Sequence, residues 1–455
     1  MSEPPAVKEI AEATPRSDAT EGAGQMTTFS VALMMMTAAL GAGLLHFPAA
    51  YNIAGGILMA TVMQLILVVS MGGTILTLAF CSDVKNDRTY QGILLSMCGT
   101  KWRYASAASV LLTCYGVCVT YLIIIGDQYD RMFASLHGPD FCHTWYMSRE
   151  FTITLTAVAI VLPLSMLQHI EFLKCASSLG LVAMLYPCVL TGIAYFTVRR
   201  PDDLYIKVWP TSAHDVFLST PVFCFAYESH EVVISAYAAM RQRSMRNMAQ
   251  AIAICMAILF VIYSTVGCFG YLTYGASVRP DIMLMFDATQ AWVLIGLLAL
   301  ILKMAVSYPL LALCARDAIE ELYLELRGGP PEDRNEVHAR MMKLSLAWFA
   351  STVGVAILPL DIGVAIKCLG CLSALNVFLF PGPVPALTTD LALFLLLGMC
   401  LLGYTQLKDS STTYRHCLML VGALMVIVGA VIFVGVLLHV LLVDLVSRHA
   451  NHLCS

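Results

Sequence analysis

Apolar stretches of membrane-spanning length recur eleven times along this chain, and nothing else limits its architecture as much. They run near 28–50, 56–81, 104–126, 150–167, 175–198, 215–237, 248–274, 291–315, 342–359, 363–386 and 416–444. A helix needs about 20 apolar residues to cross the hydrocarbon of a bilayer. Hydrophobic residues make up 59% of the chain and charged ones 12%, against about 25% charged in ordinary soluble domains. A water-soluble enzyme needs a charged skin over its core, which so few charges do not supply. The net charge of −4 leaves no basic footprint for nucleic acid. The chain reads as an all-α polytopic membrane protein with about 11 transmembrane helices. A further apolar run at 391–404 follows Pro381, Pro383 and Pro385 and reads as a kinked or interfacial segment.

Basic residues set the orientation. With the N-terminus inside, the inner segments hold 17 of the 26 Lys and Arg residues and the outer ones seven; Lys303 and Lys367 fall within spans. Residues 1–27 are polar and read as a disordered cytosolic tail without a secretory signal. The largest inner loop, 316–342, suggests a short surface helix through Glu320, Glu321, Glu325 and Arg327, stopped by Gly328-Gly329-Pro330-Pro331. Many of the 16 cysteines lie inside apolar runs, where thiols pack as small hydrophobes. The Cys368–Cys371 pair lacks the second pair or histidines of a zinc site. Nothing argues for a bond between Cys142 and Cys454.

Function is expected where the rules for a spanning helix are broken. The first span carries Gly41, Ala42 and Gly43 at mid-membrane, with Pro48 beyond. Each glycine weakens a helix by roughly 1 kcal/mol relative to alanine. If the helix opens there, the N–H groups starting its second half face the bilayer centre and suit an anion such as a carboxylate. Close packing through small residues is the competing reading. The sixth span, FCFAYESHEVVISAY, puts Glu228, His230 and Glu231 in an apolar stretch. A zinc protease would need H-E-x-x-H, and position 234 is Ile234. Interruptions at corresponding places in two halves point to a transporter with inverted repeats and a site at the midplane.

The eighth span places Lys303 near its centre and Ser307 one turn on, on the same helical face. A lysine that deep needs an anion, and Glu228 is the expected partner. The pair reads either as a static internal salt bridge or as a cation fixed at a coupling-ion site.

Several motifs in one order resemble a known family: ALGAGLLHFPAA at Ala39–Ala50, IIIGDQ at Ile123–Gln128, LPLS at Leu162–Ser165, GYLTYG at Gly270–Gly275, SYP at Ser307–Pro309, LPLDIG at Leu358–Gly363 and LFPG at Leu379–Gly382. On these the chain resembles the sodium-coupled neutral amino acid transporters of the amino acid and auxin permease group, nearest the branch of the seventh and eighth members. The resemblance covers about residues 28–445, apart from an insert around 388–415. It implies a leucine-transporter-like fold of five-plus-five inverted repeats and one more helix. The first repeat would occupy 28–200, the second 201–387, a connector 388–415, the eleventh helix 416–445 and a short tail 446–455.

The same resemblance implies the site. Backbone amides of Gly41, Ala42 and Gly43 would hold the substrate carboxylate. The opened helix at Phe225, Ala226, Tyr227, Glu228 and His230 would receive the α-amino group. Sodium would lie between the first span, near Thr37 and Leu40, and the eighth, near Lys303 and Ser307. This chain departs from the family at Thr37, where an asparagine tied to sodium is usual, and at Lys303, where relatives carry a small residue. His46 replaces an asparagine and Glu228 a glutamine. The expected function is sodium-coupled, alternating-access transport of neutral amino acids of the glutamine, asparagine, alanine and histidine class. Alternatives are sodium-independent or proton-coupled transport with Lys303 in the place of sodium, or an amino acid sensor with little flux. No cofactor beyond Na+ or H+ as coupling ion is expected. The expected state is a monomer in the plasma or lysosomal membrane.

Overall fold

The computed structural model describes residues 26–85, 89–138, 144–166, 170–198, 204–327, 334–358, 361–379 and 427–444. The first 25 residues, the run at 391–404, the 388–415 connector, Cys142, Cys454 and the 446–455 tail lie outside them. Helices dominate: α1 (Thr28–Ala39), α2 (Gly43–Ile53), α3 (Ile57–Lys85), α4 (Tyr90–Cys98), α5 (Thr100–His137), α6 (Arg149–Met166) and α7 (Ile170–Thr197). They continue as α8 (Ala213–Tyr227), α9 (His230–Ala238), α10 (Met245–Tyr274), α11 (Ala291–Arg327), α12 (Arg334–Ala356), α13 (Ile362–Ala374) and α14 (Ile427–Leu442). Among the described residues six helices are long and apolar enough to cross a membrane, and α1 with α2, bent by 68°, makes a seventh such span. Ile362–Val377 and Ile427–Leu442 are shorter apolar helices.

Helix starts follow local chemistry. Thr27, Ser212, Ser244 and Asp361 cap α1, α8, α10 and α13 by accepting from the N–H groups of Ser30, Asp215, Asn247 and Gly363. The outward faces stay apolar, as Leu58, Leu65, Ile66 and Val69 on α3 illustrate. Such a surface suits lipid rather than water.

Two helices overrun their apolar stretches. The surface helix expected in the inner loop is the continuation of α11, which runs unbroken to Arg327. Backbone hydrogen bonds extend a helix past its hydrophobic segment wherever no breaker intervenes, and the next breakers are Gly328 and Gly329. Likewise α5 extends to His137 and stops before Gly138, whose φ of 83° ends the helix. Helix α4 has no counterpart in the span reading, because its nine residues are too short to register as one.

At the centre, α10 packs against α1, α2, α3 and α7, while α8 packs on α2 and α13. The two interrupted spans run antiparallel, tied at both ends. Near one face, Met26 N–H donates to the Ala239 carbonyl (3.0 Å) and Arg241 N–H to the Met26 carbonyl (2.9 Å). This joins the start of α1 to the end of α9. Near the other face, the Gly55–Gly56 turn that follows α2 lies against Lys207 and Pro210, just before α8. Both glycines have positive φ, 94° and 113°, and a Cβ on either would strike the opposing backbone. So α1 is partnered with α9, and α2 with α8.

Candidate functional site

Both interruptions foreseen in the sequence are real breaks, and they meet. The first helix ends at Ala39; Leu40, Gly41 and Ala42 are non-helical, and α2 restarts at Gly43. Leu40 N–H still donates to Met36, and Leu44 and Leu45 donate to the Gly41 and Ala42 carbonyls. The N–H groups of Gly41, Ala42 and Gly43 donate to no backbone carbonyl among the described residues, and that of Gly41 meets the Tyr263 hydroxyl. They are the orphan donors of a helix start, at the positive end of its dipole. Such a cradle suits an anion.

In the other span, α8 ends at Tyr227, Glu228 and Ser229 are non-helical, and α9 starts at His230. A Cβ on Gly43 would lie 3.1 Å from both Cα and Cβ of Ala226 and 3.5 Å from the Phe225 ring. Glycine at 43 therefore lets the two breaks touch. Above the contact, the Tyr263 hydroxyl on α10 lies 2.9 Å from the Ala39 carbonyl and 2.8 Å from the Ala226 carbonyl. The Tyr263 ring stacks on Phe47 at 4.4 Å, and Tyr227 meets it edge-on at 5.0 Å. Buried Gln64 donates to the Tyr227 hydroxyl and accepts from Tyr51 at 2.8 Å. An aromatic wall with satisfied hydroxyls thus backs the breaks.

The expected partnership of Glu228 with Lys303 is not present. Glu228 accepts from Ser373 through one oxygen and from Asn376 Nδ2 (2.8 Å) through the other. Asn376 is in turn held by Ser109 Oγ (2.9 Å), and Tyr90 donates to its carbonyl (3.0 Å). Both carboxylate oxygens of Glu228 are thus engaged by Ser373 and Asn376. Lys303 is 8% exposed, and among the described residues no carboxylate lies within ion-pair distance of it. Its Nζ sits 5.3 Å from the centre of the Tyr121 ring, a cation–π arrangement, and its stem packs on Gly180 of α7. The Tyr121 hydroxyl lies 3.7 Å from where a Gly41 Cβ would stand. Lys303 is therefore linked to the first break through one aromatic ring.

The remaining predicted residues are scattered around this centre. His230 meets the Thr74 hydroxyl at 2.8 Å. Thr37 turns back on its own helix, donating to the Leu33 carbonyl at 2.8 Å. No hydrogen bond joins it to Ser307 among the described residues. Leu40 is buried at the break. Sequence reasoning missed Tyr121, Tyr263, Ser373 and Asn376. The last two lie three residues apart in an apolar helix, the same kind of signal that singled out Glu228.

A second polar cluster lies towards the face where α2 ends. Arg149, at the start of α6, binds both Asp127 and Asp130 of α5 (3.2 Å to Asp130). Gln128 donates to Asp281 Oδ2 at 2.7 Å in the loop between α10 and α11, and His46 Nδ1 lies 2.8 Å from the Pro280 carbonyl. Arg131 donates to the Phe286 carbonyl. The 275–290 loop is thereby pinned to α2 and α5. Asp281 lies in that loop, and burial, reinforced by the nearby Asp127, pushes its carboxyl up to about 7.

Two antiparallel helices broken side by side inside a bundle of membrane length give the leucine-transporter fold, and the chain's relatives are membrane transporters, not enzymes. The chain belongs to the transmembrane amino acid transporter protein family, which it matches over residues 24–405. It is 32% identical to the rat protein "Sodium-coupled neutral amino acid transporter 7", covering 93% of this chain and 90% of that one. It is 27% identical to human "Solute carrier family 38 member 8", over 90% of this chain and 93% of the other. Among solved structures it is similar to MhsT, crystallised in complex with L-phenylalanine. That match has a TM-score of 0.53 and 14% identity, covering 89% of this chain and 98% of MhsT.

Proposed function

We propose that this protein is a secondary active transporter of neutral amino acids of the glutamine, asparagine, alanine and histidine class, coupled to sodium and working by alternating access. The observation that carries the reading is the contact of the two breaks at Gly43 and Ala226. A zwitterion needs donors for its carboxylate and acceptors for its ammonium within a few ångströms. The N–H groups from Gly41 to Gly43, which no backbone carbonyl accepts, supply the first, and carbonyls of the opened segment from Phe225 to His230 supply the second. A transporter binds such ends with unwound backbone because charged side chains are costly at that depth. The names of the sodium-coupled relatives support sodium as co-substrate, between Thr37 and Leu40 on one side and Ser307 on the other. The excess of basic residues in alternate segments supports a cytosolic N-terminus, in the plasma or lysosomal membrane.

The pairing of α1 with α9 and of α2 with α8 supports the motion. Each pair is fastened at its own face, so one pair swings while the other holds, and the breaks serve as hinges. The 275–290 loop is pinned to α2 and α5 at the face where α2 ends.

One observation favours a second reading of the coupling. Lys303 is a buried cation, without a carboxylate partner among the described residues, on the helical face that carries Ser307. In that reading its ammonium takes the place of sodium. Uptake of radiolabelled glutamine into proteoliposomes, with sodium replaced by choline, tests both. Sodium coupling predicts that choline abolishes wild-type uptake. The second reading predicts that choline leaves wild-type uptake intact and that Lys303→Ala makes it sodium-dependent. Binding without accumulation in either medium would make the protein a sensor and refute transport.

A further inference from the structure

We infer that Tyr263 is a positioning residue whose hydroxyl is shared between the freed carbonyls of both breaks, and that the substrate's ammonium displaces it from Ala226. The inference rests on the assignment of the substrate ammonium to the opened α8–α9 segment. Tyr263 is fully buried, and its oxygen is 2.9 Å from the Ala39 carbonyl and 2.8 Å from the Ala226 carbonyl. These are the last carbonyl of α1 and the last but one of α8. Neither accepts a backbone N–H among the described residues. A tyrosine hydroxyl carries one proton. It therefore divides one hydrogen bond between two acceptors or alternates between them.

A carbonyl left unmet in hydrocarbon is costly. One shared proton under-serves both carbonyls, so a group with more protons, placed between them, is favoured. A primary ammonium has three. When it takes the Ala226 carbonyl, Tyr263 gives up its share there and keeps its bond to the Ala39 carbonyl. The ring itself does not move, because it is stacked on Phe47 at 4.4 Å and flanked by Tyr227. Tyr263 is thus a latch between the two broken helices when the site is empty, and a competitor that the substrate must displace.

Competition gives an unusual signature. Tyr263→Phe keeps the ring and removes the competitor at Ala226, so KM for glutamine falls, by about two- to threefold, because the displaced share is only part of one neutral hydrogen bond. The empty carrier loses its latch and returns slowly, so net uptake turnover falls. Exchange of internal for external glutamine skips the empty return and is retained. Incorporating 3-fluorotyrosine at 263, a stronger donor of nearly the same shape, shifts KM the other way. The measurement is net uptake and exchange of radiolabelled glutamine in proteoliposomes, for wild type and both variants. A lowered KM with selective loss of net uptake supports the inference. A raised or unchanged KM, or net uptake and exchange falling together, overturns it. Should Tyr263→Phe not fold, a KM unmoved or lowered by the fluorinated side chain overturns it alone. Wild-type protein that carries no neutral amino acid would overturn the transport reading instead.

Discussion

Asn376 donates from Nδ2 to Glu228 Oε1 across 2.8 Å, so a side chain of the turn that continues α13 holds the carboxylate that interrupts the α8–α9 span. The same asparagine accepts from Ser109 of α5, which makes it the junction of three helices. Asn376→Ala leaves the buried Glu228 short of one donor and costs about 1–3 kcal/mol. Thermal unfolding of detergent-purified protein should show the loss. Because the two residues share one bond, Glu228→Gln combined with Asn376→Ala should cost less than the two single changes added.

Arg149 neutralises two buried carboxylates, Asp127 and Asp130. Arg149→Leu strands both, and removing one side of a buried ion pair typically costs about 3–5 kcal/mol. The expected outcome is a sharp fall in the monodisperse fraction on gel filtration. Asp130→Asn, which removes one of the two acids and keeps the Asp127 contact, should be far milder.

Much of this account was legible in the sequence. Span lengths follow from a bilayer's thickness, and the breaks betray themselves because paired glycines and mid-membrane acids violate the conditions for an uninterrupted helix. The partner of Glu228 was not legible. Glu228 and Lys303 are both deep and of opposite charge, but which way each helix is rotated depends on packing with several neighbours, and no local pattern encodes it. Ser373 and Asn376 carried a readable signal as polar residues in an apolar run. Tyr121 and Tyr263 did not, since aromatic residues are ordinary in such helices and only contact with Gly41, Ala39 and Ala226 distinguishes them. Arg149 carried no readable signal, because hydropathy does not set how far α5 runs beyond its apolar core to carry Asp127 and Asp130.

Asp281 makes stability pH-dependent in a definite direction. An unfolded aspartate titrates near pH 3.9, whereas burial holds this one at about 7. As pH rises the unfolded chain ionises first, so the contribution is full below about pH 4, declines between about 4 and 7, and is flat above. Asp281→Asn keeps an acceptor for the Met283 N–H, which Asp281 Oδ1 meets at 2.8 Å. The side-chain oxygen of Gln128 has no partner, so its amide can turn to accept from the new asparagine. Melting temperatures at pH 5 and pH 8 should differ less in Asp281→Asn than in wild type. Equal slopes would contradict the burial of this carboxyl.

Gly43 has no side chain where the breaks meet, and a Cβ there would be 3.1 Å from Ala226. Gly43→Val forces the two segments apart at an overpacking cost of about 1–3 kcal/mol. Protein should still be recovered folded, with glutamine uptake reduced tenfold or more. Gly43→Ala, with one methyl to accommodate, should retain intermediate activity.

The central claim is that the two touching breaks bind both ends of one zwitterion. Its most direct test is competition against radiolabelled glutamine uptake by two truncated analogues. One is 4-carbamoylbutanoic acid, which lacks the amine, and the other is 4-aminobutanamide, which lacks the carboxylate. The account predicts that unlabelled glutamine competes and that neither analogue does at the same concentration. Competition by either analogue as strong as that of glutamine would contradict it.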